Sequence, residues 1–218
     1  MIVAINKPIG VTSFDVVKKV RKITRIKKVG HGGTLDPFAE GVLIIGIGRK
    51  STRRLDYYNN SNKQYIAELQ LGSSTDTLDL TGEIIEKKEI PQLQKSMIEN
   101  IFSQFIGLQN QLPPMYSAKK INGIRLYKLA RMKKTVKRKP NQITITSLEL
   151  IDYNSKKINF SVSCSKGTYI RQLGLDIANK LGTVGHLTKL NRIKAGPYTL
   201  DDCISISAIE KTWMSSQI

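Results

Sequence analysis

Asp36 lies in His31-Gly32-Gly33-Thr34-Leu35-Asp36-Pro37, ahead of the apolar run Gly41-Val42-Leu43-Ile44-Ile45-Gly46-Ile47. Gly32 and Gly33 carry no Cβ, so the backbone there can take unusual dihedrals and let a ligand approach closely. Pro37 disfavours the α region for Asp36 and pushes it extended. A carboxylate held this way could serve as a nucleophile or a general base. By spacing alone Asp-Pro is more often a turn than a site. A glycosidase-like pair is not evident, because the nearest acid is Glu40 and it sits in no recognised motif. Gly46-Ile47-Gly48-Arg49-Lys50-Ser51 lacks the spacing of a phosphate-binding Walker loop. His31 and His186, with Cys164 and Cys203, show no metal-ligand spacing, and the two cysteines read as reduced, Cys164 as a packing residue.

The partner of such a carboxylate is indicated by charge. The 218 residues include 35 Lys and Arg against 17 Asp and Glu, a net charge of +18. This favours a polyanion, nucleic acid before an anionic membrane surface. The charge is clustered. Seven basic and no acidic residues lie between Lys18 and Lys28; Arg49, Lys50, Arg53 and Arg54 form a second group. Ten more run from Lys119 to Lys139, with Tyr116 and Tyr127 interleaved or adjacent, as expected of an arm that tracks phosphates and stacks on bases. No run approaches the length of a membrane span and the N-terminus has no signal-peptide pattern, so the expected location is cytoplasmic.

The elements that must position Asp36 read as an α+β fold with a largely antiparallel sheet. Val16, Val17, Val20 and Ile23 recur at helical spacing behind Thr12-Ser13, good N-cap residues. Leu93 to Phe105, between Pro91 and Gly107, predicts a second helix, and Tyr169 to Leu181, closed by Gly182, a third. Alternation at Tyr65, Ala67, Leu69 and Leu71, and at Ile158, Phe160, Val162 and Cys164, predicts strands, with another from Gln142 to Ile151. On these patterns Tyr65 reads as core, Arg171 as an ordinary surface arginine, and His31 and His186 as polar loop residues.

Five stretches together resemble one family. They are KPIGVTSFDVVKKVRK from Lys7, GHGGTLDPFAEGVLIIGIGRKSTR from Gly30, KQYIAELQLGSSTDTLDLTG from Lys63, LPPMYSAKKINGIRLYKLAR from Leu112 and CSKGTYIRQLGLDIANKLG from Cys164. In this order they resemble the bacterial stand-alone tRNA pseudouridine synthases that modify the T-loop uridine at nucleotide 55. The resemblance implies the pseudouridine synthase catalytic fold. It implies that Asp36 attacks a flipped-out uridine, that Tyr65 stacks on the base and handles a proton, and that Arg171 pairs with the aspartate. His31, Tyr169 and Leu190 would line the uridine pocket or fill the space the base leaves, with Lys7 and Lys119 also binding substrate. Residues from about 109 to 140 would form a thumb-like insertion over the T-loop.

The implied reaction breaks N1–C1′, turns the base and rejoins it through C5, so no cofactor and no metal are expected. The attack could be on ribose C1′ or on uracil C6. An arginine beside the carboxylate would favour its ionised form and offset desolvation. Extruding the base costs about a few kcal/mol, of which stacking on Tyr65 would return ~1–3 kcal/mol. The implied partner is the T-arm and elbow of tRNA, with no membrane and no obligatory protein partner, and a monomer suffices. The expected organisation is one catalytic domain over 1–218 without the family's small C-terminal PUA-like RNA-binding domain. Two departures stand out: Thr52-Arg53 replaces Thr-Lys, and Asn191-Arg192 replaces a pair of arginines, which removes an expected phosphate contact. The rival readings are a non-catalytic RNA-binding module of the same fold and a subunit of a guide-RNA complex.

Overall fold

The structure is a computed structural model and describes residues 1–215. Its contacts divide the chain into two compact units, Met1–Ile66 with the chain from Leu190 onward, and Ala67–Lys189. The first unit opens with β1 (Ile2–Lys7), α1 (Ser13–Thr24), β2 (Val29–Gly32), β3 (Glu40–Ile47) and α2 (Arg49–Asn60). Strand β4 (Lys63–Leu71) leads into the second unit, which holds β5 (Ser73–Thr75), β6 (Ile84–Lys87), α3 (Lys95–Ser103) and β7 (Gly107–Gln111). There follow β8 (Lys120–Ile121), β9 (Ile124–Arg125), α4 (Leu126–Arg131), β10 (Asn141–Tyr153), β11 (Lys157–Cys164) and α5 (Ile170–Lys180). Strand β12 (Gly185–Ala195) returns to the first unit, which closes with β13 (Tyr198–Thr199), β14 (Cys203–Ile204) and α6 (Ile209–Ser215).

In the first unit β3 is the central strand. It pairs antiparallel with β1, from Ile2 opposite Gly46 to Lys7 opposite Gly41, and with β2, where His31 faces Ile45. Its start runs parallel to β12, with Asn191 beside Glu40 and Arg192 beside Gly41. Helix α1 covers one face: Val16, Val17 and Val20 pack with Val3, Ile5, Leu43 and Ile45. Burying three valines stabilises this packing by about 1.5–3 kcal/mol each. Thr12 caps the helix as the spacing predicts, in a reciprocal capping box with Asp15. Leu55 and Tyr58 of α2 pack with Ala4, Val42 and Ile44 on the alternate residues of the same strands.

In the second unit the strand order is β4–β11–β10–β7, with β10 antiparallel to both neighbours. The α+β expectation and its largely antiparallel sheet hold. The strands at Tyr65–Leu71, Gln142–Ile151 and Ile158–Cys164 and the helix before Gly182 fall where the periodicities place them. The helix after Pro91 is shorter, Lys95–Ser103, because the amides of Gln104, Phe105 and Ile106 tighten into i→i−3 bonds and the chain turns at Gly107, with φ of +101°. His186 is no loop residue: it is buried on β12, and its Nδ1 lies 2.8 Å from the Ser73 carbonyl oxygen. The basic stretch carries the β8–β9 hairpin and α4, with Leu126 fully buried beneath them.

Candidate active site

Asp36 lies in the loop between β2 and β3, and almost every residue around it is held by a hydrogen bond. The Ser13 hydroxyl, in the first turn of α1, donates to the Leu35 carbonyl at 3.0 Å and accepts from the Leu35 N–H at 2.9 Å. Gly10 N–H donates to the Pro37 carbonyl at 2.8 Å, and Ala39 N–H to that of Asp36 at 3.1 Å. Gly33 takes φ of +93°, the left-handed region glycine tolerates. The turn therefore clamps the main chain on both sides of the carboxylate.

Four more of the expected site residues share this unit with Asp36. Lys7, at the end of β1, is fully buried, and its ammonium donates to the carbonyls of Pro8 and Val11 at 2.8 and 2.9 Å. Burial brings its pKa down from 10.5 to about 8, against the attraction of Asp36; Arg192 lowers it further and Glu40 opposes the drop. His31 is held below its ordinary value, first by burial and then by the Arg192 charge, against a hydrogen bond with the Gly33 backbone. Tyr65 on β4 and Leu190 on β12 are both buried.

A pH signature follows from Lys7. Between about pH 8 and 10.5 the unfolded chain keeps a proton that the folded chain releases, so stability should rise with pH across that window. From pH 7 to 9.5 wild type should gain about 2 kcal/mol relative to Lys7→Met, read by urea unfolding. Parallel stability curves for the two proteins would show that Lys7 titrates normally.

The remaining expected residues lie in the second unit. Arg171, in the first turn of α5, is 4% exposed rather than a surface arginine. Its Nη1 donates to the Thr77 carbonyl at 2.5 Å and its Nη2 to the Tyr116 carbonyl at 2.8 Å. Asp79 Oδ2 lies 3.6 Å from Nη1, and both side chains are buried. Asp79 in turn accepts from the hydroxyls of Thr77 and Thr81 and from Thr81 N–H. Leu78, between two of these partners, takes φ of +62°, an uncommon conformation for leucine that turns the chain so that Thr77 and Asp79 both reach Arg171.

Tyr169 precedes α5, and its amide is bridged reciprocally by Gln111: N–H to Oε1 at 2.8 Å, and Nε2 to the tyrosine carbonyl at 3.0 Å. Lys119 does not extend into solvent. Its ammonium donates to the Lys139 carbonyl and to Asn141 Oδ1, while Arg138 donates to the Pro113 carbonyl. These two residues clasp the base of the basic stretch, and the other eight of its ten cations are exposed. Arg125 and Arg131 stand 6.0 and 5.5 Å from the Tyr127 ring centroid.

Three supporting residues are given no role by the sequence. Ser13 gave no signal beyond its place as a helix-cap candidate. Asp79 was visible only as one acid among the threonines of the third motif. Arg192, named from sequence only as the remaining member of a pair of arginines, is 1% exposed and reaches the carbonyls of Val42, Thr34 and Gly33. Its strand parity, shared with buried Leu190, was the available clue.

The comparisons with known proteins give the family. The family TruB family pseudouridylate synthase (N terminal domain) matches residues 21–170. The tRNA pseudouridine synthase B of Protochlamydia amoebophila is 46% identical over 205 residues, which cover 94% of this chain and 77% of that protein. The protein of the same name from Geobacter sulfurreducens is 43% identical over 209 residues, covering 96% and 68%. Among solved structures, a chain of a Cbf5–Nop10–Gar1 complex matches with a TM-score of 0.76 at 27% identity, covering all of this chain and 56% of that one. With the aspartate loop, the buried arginine and the basic stretch on the elements described, this chain belongs to the TruB family of pseudouridylate synthases.

Proposed function

We propose that this protein isomerises the T-loop uridine at tRNA nucleotide 55 to pseudouridine, with Asp36 as nucleophile on a flipped-out base. The observation that carries the reading is the clamped loop, which leaves a carboxylate on a main chain fixed at Leu35 and Pro37. Its support is the identity, near 45%, to relatives named tRNA pseudouridine synthase B. The N1–C1′ bond breaks and the C5–C1′ bond forms; the proton at C5 leaves and N1 gains one, so no electron is exchanged. Tyr65 stacks on the base, and Arg171 supplies the guanidinium that steers the carboxylate. His31, Tyr169 and Leu190 complete the pocket. A neutral His31, favoured by its burial, can sit against a uracil without adding charge. The protein acts as a monomer on the T-arm and elbow. No helix among the described residues is long and apolar enough to cross a membrane.

The exposed cations of α1, α2 and the 119–139 stretch dock the phosphates. If they neutralise ~5–8 phosphates, affinity for a T-arm hairpin should fall with a log–log salt slope of about −4 to −7. A flat dependence in a filter-binding titration would remove these clusters from the interface. The reading itself is tested with an unmodified hairpin tritiated at C5 of its uridines, with EDTA and no added cofactor. Release of one equivalent of tritium is expected. Intact RNA binding without release would identify a binding module of the same fold.

A further inference from the structure

We propose that Arg192 is a positioning residue: a buried guanidinium whose fork fixes the main chain leading into Asp36, and so the direction in which the nucleophile is presented. The inference rests on Asp36 being that nucleophile. Arg192 makes no ion pair among the described residues. Burying an unpaired cation is expensive, and an apolar side chain of similar volume would fill the same space without that cost. What the guanidinium provides is reach. Nε donates to the Val42 carbonyl at 2.7 Å, while Nη1 and Nη2 donate to Thr34 and Gly33 at 3.3 Å each.

One side chain thus ties a sheet strand to the loop two and three residues before the carboxylate. The base of that side chain is itself fixed. Arg192 lies in parallel register beside Gly41. A Cβ on Gly41 would stand 2.3 Å from the Arg192 carbonyl oxygen, so only glycine lets β12 approach β3 this closely. Strand register therefore sets where the guanidinium begins, and its planar donors set where the loop ends. With Ser13 on Leu35 and Gly10 on Pro37, residues 33, 34, 35 and 37 are all held.

A lysine could not do the same. Its single ammonium carries a charge but cannot span three carbonyls on two segments with the geometry of a fork. The charge of Arg192 also acts on its surroundings, lowering the proton affinity of both Lys7 and His31. A phosphate-binding role would require an exposed head group, and this one is 1% exposed.

The test compares wild type, Arg192→Lys and Arg192→Gln, with Asp36→Asn as the inactive baseline. Hairpin affinity and the single-turnover rate at saturating hairpin are measured on protein shown to be folded by urea titration. A misdirected nucleophile should lower the saturating rate about 100-fold, with affinity within about threefold of wild type. Arg192→Lys should recover little of the rate. Should Arg192→Gln not fold, the lysine variant alone decides the outcome. Amide hydrogen exchange over residues 33–36 is followed in parallel, needs no turnover, and should accelerate in both variants. An unchanged saturating rate, whether or not affinity falls, overturns the proposal, and so does unchanged exchange at 33–36. Tritium release by wild type and by both Arg192 variants, lost only in Asp36→Asn, would reject this inference and leave the proposed function standing. No release by wild type would reject the proposed function itself.

Discussion

Asp36→Asn is expected to lower the single-turnover rate at least about 10⁴-fold, the scale on which loss of a nucleophile acts, while hairpin affinity stays within about threefold. The substitution preserves shape and removes the negative charge. Six bonds around the loop use backbone or the side chains of Ser13 and Arg192, and none of them needs the carboxylate. The loop should therefore keep its conformation, and the phosphates should still be met by the exposed cations. An amide oxygen cannot replace a carboxylate in forming the covalent intermediate. A second readout checks that the change is local. Asp36 attracts the Lys7 proton, so in Asp36→Asn the Lys7 pKa should drop below about 8. Tritium release measures the first effect and carbon-labelled lysine NMR the second. A variant keeping several per cent of wild-type activity would remove Asp36 from the nucleophile's role.

How far this could be read from sequence depended on the range over which each feature is encoded. Helix α1 was legible because the steps from its cap, Thr12, to Val16 and on to Val20 each span four residues. Strands β4 and β11 were legible because alternation is a local pattern. The motifs marked Asp36, Tyr65 and Arg171, but periodicity alone placed Arg171 at the surface. Its real environment is made by the carbonyls of Thr77 and Tyr116, 94 and 55 residues away. Arg192 carried no legible role for the same reason: its acceptors lie 150 to 159 residues away. Charge in sequence suggests solvent or phosphate, and only the fold shows when main-chain carbonyls take their place. Lys7 and Lys119 repeat the lesson, since both were expected at substrate and both bond first to this chain's own carbonyls. Helix α3 ended early because its last amides tighten into i→i−3 bonds ahead of the turn at Gly107, a switch the apolar spacing does not encode.

Arg171→Lys should lower the saturating single-turnover rate about 10²- to 10³-fold, the cost of losing a fixed donor in a site protected from water. The charge is retained, so the prediction isolates the fork. Arg171 uses separate nitrogens for the Thr77 and Tyr116 carbonyls, with Asp79 3.6 Å from Nη1. A lysine ammonium placed for one carbonyl would leave the other buried acceptor unpaired, at about 1–3 kcal/mol, and its head would move toward the acceptor it kept. Asp79→Asn should produce a smaller loss. Its Oδ1 can still accept from Thr77 and Thr81, so the Thr77–Thr81 turn survives while the countercharge is lost. The expected order of activity is wild type, Asp79→Asn, Arg171→Lys, then Asp36→Asn, with RNA affinity nearly level across the series. Arg171→Met should behave differently, because it leaves Asp79 buried without its cation and should destabilise the fold by about 3–5 kcal/mol. Urea titration separates that loss from chemistry. If Arg171→Lys turned over at the wild-type rate, positive charge alone would be sufficient at this position, and the two carbonyls would serve only to hold α5 in place.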